Sequence, residues 1–238
     1  MYPEKKKRDK PLIVMCNGPS VRKVNLDELK DQDIFGMNGA YRLYKEKNWY
    51  PKYFGCFDLR VTCNHAKQFK ELIEQSPIEN LFFLRQLSTS PKLTYLPLDG
   101  SVGNFSTEFK TFKSAGNTGS NCCQVGMCLG YTKIILIGAD CSYKQEVVDG
   151  AVNSGGGLVI SKTPDSNPNY FFDSYQREGD EYNYPQANIY HAPAWERLAI
   201  FARHNNIDIV NCSEGSSLNC FRKSTIDVEL GIPAARIK

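Results

Sequence analysis

The chain reads as a single α/β domain with a mostly parallel central sheet, helices on both faces and an irregular, tyrosine-rich lid. Three observations predict this. Short, largely apolar runs recur at 12–16, 33–37, 51–57 and 132–139, the pattern of strands buried on both faces of a parallel sheet. Segments of helical period alternate with them. The first three runs stop on polar residues, Asn17, Asn38 and Asp58, and the longest stops on Asp140. In a parallel sheet such ends share one edge, and that edge is where open α/β sheets bind ligands.

The first strand runs over 12–16 and breaks into the turn Asn17-Gly18-Pro19-Ser20. Gly18 lets a ligand approach the backbone, Pro19 stiffens the turn, and Asn17 and Ser20 offer side-chain hydrogen bonds. Its spacing is neither a dinucleotide fingerprint nor a P-loop. A short helix is expected over 24–29, capped by Asn25 with Glu28 as its capping-box partner. Strands follow at 33–38, 51–58 and 79–84, separated by helices at 41–47 and 63–75. A further edge strand is expected at 93–98, then a loop or short helix at 101–111.

The second clear unit is a helix beginning near Thr118, Gly119 and Ser120. Thr118 or Ser120 caps it, Cys122, Val125 and Leu129 form its apolar face, and Gly130 ends it. Its exposed N–H groups suit an anion. The strand 132–140 is the most hydrophobic of the chain and is expected at the sheet's centre. Over 141–185 the aliphatic periodicity disappears, while tyrosines stand at 143, 170, 175, 182 and 184. The segment reads as a lid, or as a surface excursion packing its rings on the sheet. A helix opens at His191 with Pro193 in its first turn, buries Trp195, Leu198, Ala199 and Ala202, and leads into the last strand at 207–212. The division is a basic flexible tail at 1–10, the domain at 11–222 with its lid at about 141–190, and a C-terminal tail at 223–238.

The net charge of +3 in 238 residues comes largely from Lys5-Lys6-Lys7-Arg8, so it marks no nucleic-acid surface. That run is a solvated tail, with weak attraction to an anionic membrane face as the other reading. No apolar stretch approaches the ~20 residues of a membrane span, and 12–16 is too short for a signal peptide. A cytoplasmic protein is expected, at the inner face of the membrane if the tail binds there. The nine cysteines include no Cys-x-x-Cys pair, so neither a zinc ribbon nor a disulfide framework is expected.

Of the three histidines, His204 and His65 read as surface residues. His191 stands where the lid meets a helix, near the strand ends, and is the candidate general base. Asp58 and Asp140 are two carboxylates for magnesium, but such a site also takes phosphate oxygens from substrate.

Three landmarks carry a resemblance: Cys16-Asn-Gly-Pro-Ser20, Asn38 at the second strand end, and the unit from Thr118-Gly-Ser to Asp140. They resemble the bacterial sialyltransferases that use CMP-sialic acid to decorate lipooligosaccharide. They also resemble the broader domain typified by archaeal 6-hydroxymethylpterin diphosphokinase, to which 167–175 and 207–218 are more similar. The resemblance covers most of 11–222. It implies a Rossmann-like fold with a lid, and an inverting transfer, without metal or other cofactor, of sialic acid or a related acid sugar from a CMP-sugar to a glycan acceptor. By position it implies nucleotide binding by Asn17, Gly18, Ser20, Asn38, Asp58, Thr118, Gly119, Ser120 and Asp140. It also implies Tyr143 as the tyrosine that steadies the leaving phosphate, and His191 as the base.

The chain departs from that pattern twice. Asp58 stands where the family has Asn, and one extra residue separates Asp140 from Tyr143, which leaves Tyr170 and Tyr175 open for the phosphate role. The alternative is pyrophosphoryl transfer from ATP to a pterin-like alcohol, with magnesium on Asp58 and Asp140. A non-catalytic relative that binds a nucleotide sugar is the third reading. Homo-oligomerisation is left open.

Overall fold

A computed structural model describes residues 2–97, 104–114, 116–145, 147–184 and 191–232. Among them are eleven strands: β1 (Leu12–Met15), β2 (Asp33–Met37), β3 (Tyr53–Cys56), β4 (Asn80–Phe83), β5 (Leu93–Tyr95), β6 (Lys133–Ile137), β7 (Ala151–Ser154), β8 (Gly157–Ile160), β9 (Glu181–Asn183), β10 (Asp208–Asn211) and β11 (Arg222–Lys223). The helices are α1 (Tyr41–Lys47), α2 (Leu59–Asn64), α3 (Ala66–Gln75), α4 (Thr118–Cys128), α5 (Ala192–His204) and α6 (Ile226–Leu230).

Eight strands form one parallel sheet in the order β11-β10-β6-β1-β2-β3-β4-β5. The α/β, Rossmann-like class is therefore the observed one. The chain runs outward from β1 to β5, then returns to lay β6 on the other side of β1. The order reverses at β1 and β6, and the carboxyl ends of these two strands flank the switch-point crevice.

Burial explains the apolar runs. All four residues of β1 are fully buried; Leu12 and Val14 face α4 and α5, while Ile13 and Met15 face the cluster built by α1, α2 and α3. Strand β6 lies beside β1 rather than at the midline, which falls between β1 and β2.

Helix α4 is buried on every side, not on the one expected face. Its glycines make this possible: a Cβ at Gly126 would lie 2.4 Å from Leu12, and one at Gly119 2.6 Å from Trp195. The polar residues on its far side are satisfied by the segment before it. Gln124 accepts from the Ser106 N–H at 2.9 Å and donates to the Lys113 carbonyl at 2.9 Å.

Several local expectations are corrected. Neither Thr118 nor Ser120 caps α4; Asn117 does, its side chain accepting from the Ser120 N–H at 2.8 Å. The helix expected at 63–75 is two, broken at His65, and it starts earlier because Asp58 caps α2. The segment 24–29 is a 3-10 turn at Leu26–Leu29, with Asn25 as its cap. The lid is not irregular throughout, since β7, β8 and β9 form a small antiparallel sheet within it.

The expected tails also have structure. Tyr2 stacks on Phe109, Lys5 pairs with Glu108 at 2.8 Å, and Arg8 donates to the Leu129 carbonyl at 3.2 Å. Beyond residue 222, β11 and α6 add to the domain, and Glu229 binds Arg222 and Lys133. Residues 98, 101–103, 185–190 and 233–238, which fall in the expected edge strand, loop, lid and tail, lie outside the described residues. Among the described residues, no helix is long and apolar enough to cross a membrane.

Candidate functional site

A cavity of about 620 Å³ opens at the carboxyl edge of the sheet, under the lid. The sheet contributes Asn17 and Gly18 after β1, Asn38 after β2, Asp58 after β3 and Asp140 after β6. Thr118 and Gly119 come from the start of α4, His191 from the start of α5, and Tyr143, Tyr170 and Tyr175 from the lid. The fold thus gathers on one cavity most of the residues singled out in the sequence. Ser20 and Ser120 do not line it. Ser20 is buried behind the turn, and the Ser120 hydroxyl bonds back to the Asn117 carbonyl at 3.1 Å.

The wall formed by Asn17 and Asn38 holds unspent hydrogen-bonding capacity. The Asn17 amide nitrogen donates to the Tyr175 hydroxyl at 3.0 Å and to the Met37 carbonyl at 3.4 Å. Its Oδ1 is buried with no partner, and so is Oδ1 of Asn38. Asn38 holds a left-handed backbone, φ +51°, a conformation asparagine tolerates better than most residues. Buried acceptors without partners are costly unless something supplies a donor. The Tyr175 hydroxyl also accepts from the Gly39 N–H at 3.1 Å. With two donors already on its oxygen, its own proton is left for a ligand.

Asp140 serves the turn. Its Oδ1 accepts from the Ser20 N–H at 3.1 Å and its Oδ2 from the Ser20 hydroxyl at 2.8 Å. Burial raises its pKa, and the bonds from Ser20 act against that rise. Gly18 is required by this clamp, because a Cβ there would lie 2.0 Å from Asp140 Oδ2. Asp58 is held as firmly: Oδ1 accepts from the N–H groups of Arg60 (2.9 Å) and Val61 (3.1 Å), and Oδ2 from the Asn183 amide at 2.8 Å. Each oxygen of the two carboxylates accepts at least one hydrogen bond within the protein. Among the described residues, no three His, Cys, Asp or Glu side chains come together as a metal site.

His191 stands over the opposite wall, its ring 6.4 Å from that of Tyr143. Burial lowers its pKa from the ordinary histidine value, with the charge of Asp58 acting in the other direction, which favours the neutral ring. Burial also pushes the Tyr143 hydroxyl up to about 12, leaving it a hydrogen-bond donor at neutral pH.

Comparison with protein-family models and with curated proteins found no match. Comparison with solved structures did. The sialyltransferase CstII from Campylobacter jejuni, solved in complex with a substrate analogue, cytidine-5'-monophosphate, aligns over 92% of this chain and 86% of its own, with 17% identity and a TM-score of 0.51. A variant of CstII in complex with CMP aligns over 92% of this chain and 88% of its own, with 15% identity and a TM-score of 0.50. The MAf glycosyltransferase from Magnetospirillum magneticum AMB-1 aligns over 93% of this chain but 34% of its own, with 13% identity and a TM-score of 0.51. The chain shares the fold of these glycosyltransferases.

Set within that fold, one group of site-supporting residues escaped the sequence reading. His65, read as a surface residue, is 1% exposed, and its Nε2 lies 3.1 Å from Asp180 Oδ1. Asp180 also takes a bidentate pair from Arg42 at 2.6 and 2.7 Å, and Arg42 donates to the Tyr175 carbonyl as well. This buried cluster fixes the lid to α1 and sets Tyr175 in place. The signal for it is weak in the sequence, because its members lie on three separate segments.

Proposed function

We propose that the chain is a glycosyltransferase that moves a sugar from a CMP-linked donor to a hydroxyl of a glycan acceptor. The observation that carries this reading is the cavity at the β1/β6 switch point. It has two partnerless buried amide oxygens on one wall and a half-buried histidine of lowered pKa on the other, in a fold shared with CMP-bound CstII.

Asn17 and Asn38 offer acceptors to the amino and hydroxyl groups of the nucleoside. The N–H groups at the start of α4, at Thr118 and Gly119, offer an anion site for the phosphate. Tyr175 and Tyr143 give it hydroxyl protons. His191 takes the proton of the acceptor hydroxyl as the acceptor oxygen bonds to the anomeric carbon. The bond from that carbon to the phosphate oxygen breaks, and CMP leaves with the electron pair. The proton ends on His191, and the anomeric configuration inverts. Donors fixed before the reaction stabilise the charge gathering on the phosphate, which is where such sites gain most. A membrane-anchored glycan acceptor would place the enzyme at a cytoplasmic membrane face, where Lys6 and Lys7 offer positive charge.

Thermal shift with CMP, CDP, UDP, GDP and ATP, each with and without magnesium, tests the nucleotide. A bound ligand raises apparent stability by mass action. Stabilisation by CMP without metal supports the reading. Stabilisation by ATP only in the presence of magnesium overturns it in favour of pyrophosphoryl transfer. Release of CMP from a CMP-sugar on addition of acceptor then tests catalysis.

A further inference from the structure

We propose that Asp58 serves His191 rather than the nucleotide: its fixed carboxylate stabilises the imidazolium that forms when His191 takes the acceptor's proton. This rests on the transferase reading, with His191 as its base. Asp58 is then a positioning residue, acting through His191 and not on substrate.

The charge map of the cavity leads to this. Among its described lining residues there is no lysine or arginine, and the acidic ones are Asp58 and Asp140. Asp140 is committed to Ser20 through both oxygens. Asp58 is immobilised by two backbone N–H groups at the N-terminus of α2 and by Asn183 of the lid. It faces a cavity with no cation, so a phosphate placed against it would meet uncompensated repulsion. A cation formed on the opposite wall would meet attraction, and the group on that wall able to become one is His191.

His191 has little else to help it. Tyr143 faces it at 6.4 Å as a neutral phenol, and Trp195 follows one turn along α5. Glu196 and Arg197, the charged residues that follow it on α5, are exposed to solvent, as is Lys144 beside Tyr143. Residues 185–190, which precede it, include no Asp, Glu, Lys, Arg or His. Burial disfavours the imidazolium, and the Asp58 charge opposes that effect. Asn183 ties the device to lid position, since β9 carries the amide that holds Asp58.

The test uses the full chain and Asp58→Asn, an isosteric change that keeps a good helix cap. The imidazole of His191 is titrated by NMR without ligand, its resonance assigned by loss in His191→Gln. In Asp58→Asn its midpoint should fall by about half a unit or more. The acid limb of the kcat/KM profile should move to lower pH with it, and kcat should fall about 3- to 10-fold. CMP affinity should stay within about twofold. Asp58→Ser, which also caps, should behave alike if Asp58→Asn folds poorly. An unchanged His191 midpoint, or a large loss of CMP affinity without one, overturns the proposal. A chain that shows the midpoint shift but transfers no sugar keeps the charge pairing and overturns the transferase reading instead.

Discussion

The amide nitrogen of Asn17 lies 3.0 Å from the hydroxyl of Tyr175, joining the first strand end to a lid residue 158 positions later. The same hydroxyl accepts from Gly39 at the second strand end. One phenol therefore ties the first two strand ends into one wall of the crevice and keeps its proton for a ligand. Tyr175→Phe removes that proton and leaves two N–H groups, of Asn17 and Gly39, without this partner. The expected result is about a tenfold loss in CMP affinity by calorimetry and a stability cost of about 1–2 kcal/mol. Affinity unchanged from wild type would show that the hydroxyl is structural alone.

Gly18 looks in the sequence like a place for a ligand to approach the backbone. In the fold its missing Cβ makes room for Asp140, whose oxygen would lie 2.0 Å from a methyl. Gly18→Ala must push the turn off the Asp140 carboxylate or the carboxylate off Ser20. A destabilisation of about 1–3 kcal/mol is expected in denaturant unfolding. Asp140→Ala removes the contact with the carboxylate and leaves the one with the Gly138 carbonyl at 2.6 Å, so the double variant should lose somewhat less than the sum of the single ones. Simple additivity would assign the cost to the Gly138 carbonyl instead of the carboxylate.

The parts of this fold that repeat a local rule were legible from sequence. Strands β1, β2, β3 and β6 announce themselves as apolar runs, and their ends as polar punctuation. What stayed hidden depends on tertiary partners. Helix α4 looks amphipathic until the segment 104–114 covers its polar side, and Gln124 and Asn121 are buried only because that segment carries their partners. His65 looks like a surface residue because Asp180, its neighbour in space, is a lid residue far along the chain. The lid strands β7 and β9 are short and largely solvent-facing, so no hydrophobic period marks them. The candidate site was readable for the opposite reason: four of its members sit at strand ends, and the parallel topology alone brings those together.

His191→Ala removes the base but leaves Asn17, Asn38 and the start of α4 untouched. Turnover should fall by about 10²–10⁴-fold while CMP affinity holds. In wild type, burial lowers the His191 pKa, so the neutral, proton-accepting ring persists to lower pH than in a solvated histidine. The acid limb of kcat/KM should accordingly lie below the ordinary histidine value of about 6.5. A limb at or above that value, or turnover within a few-fold of wild type in the alanine variant, would remove His191 from the role.

Arg42 and Asp180 are both 7% exposed, and breaking a buried pair from one side leaves the other charge without compensation. Arg42→Met should cost about 3–5 kcal/mol and speed proteolysis within 147–184 more than elsewhere. The pH dependence has a definite sign. Burial alone would raise the Asp180 carboxyl, but the bonds from Arg42 and His65 more than reverse this and hold it well below the usual carboxylate range. A carboxyl depressed in the folded state contributes fully above its unfolded value of about 3.9 and loses that contribution as pH falls through the folded one. The melting-temperature gap between wild type and Arg42→Met should therefore be widest near neutral pH and shrink as pH drops below about 4. A gap of the same size at pH 7 and in strong acid would mean that Arg42 holds the lid by packing and its bond to the Tyr175 carbonyl, and not through the Asp180 charge.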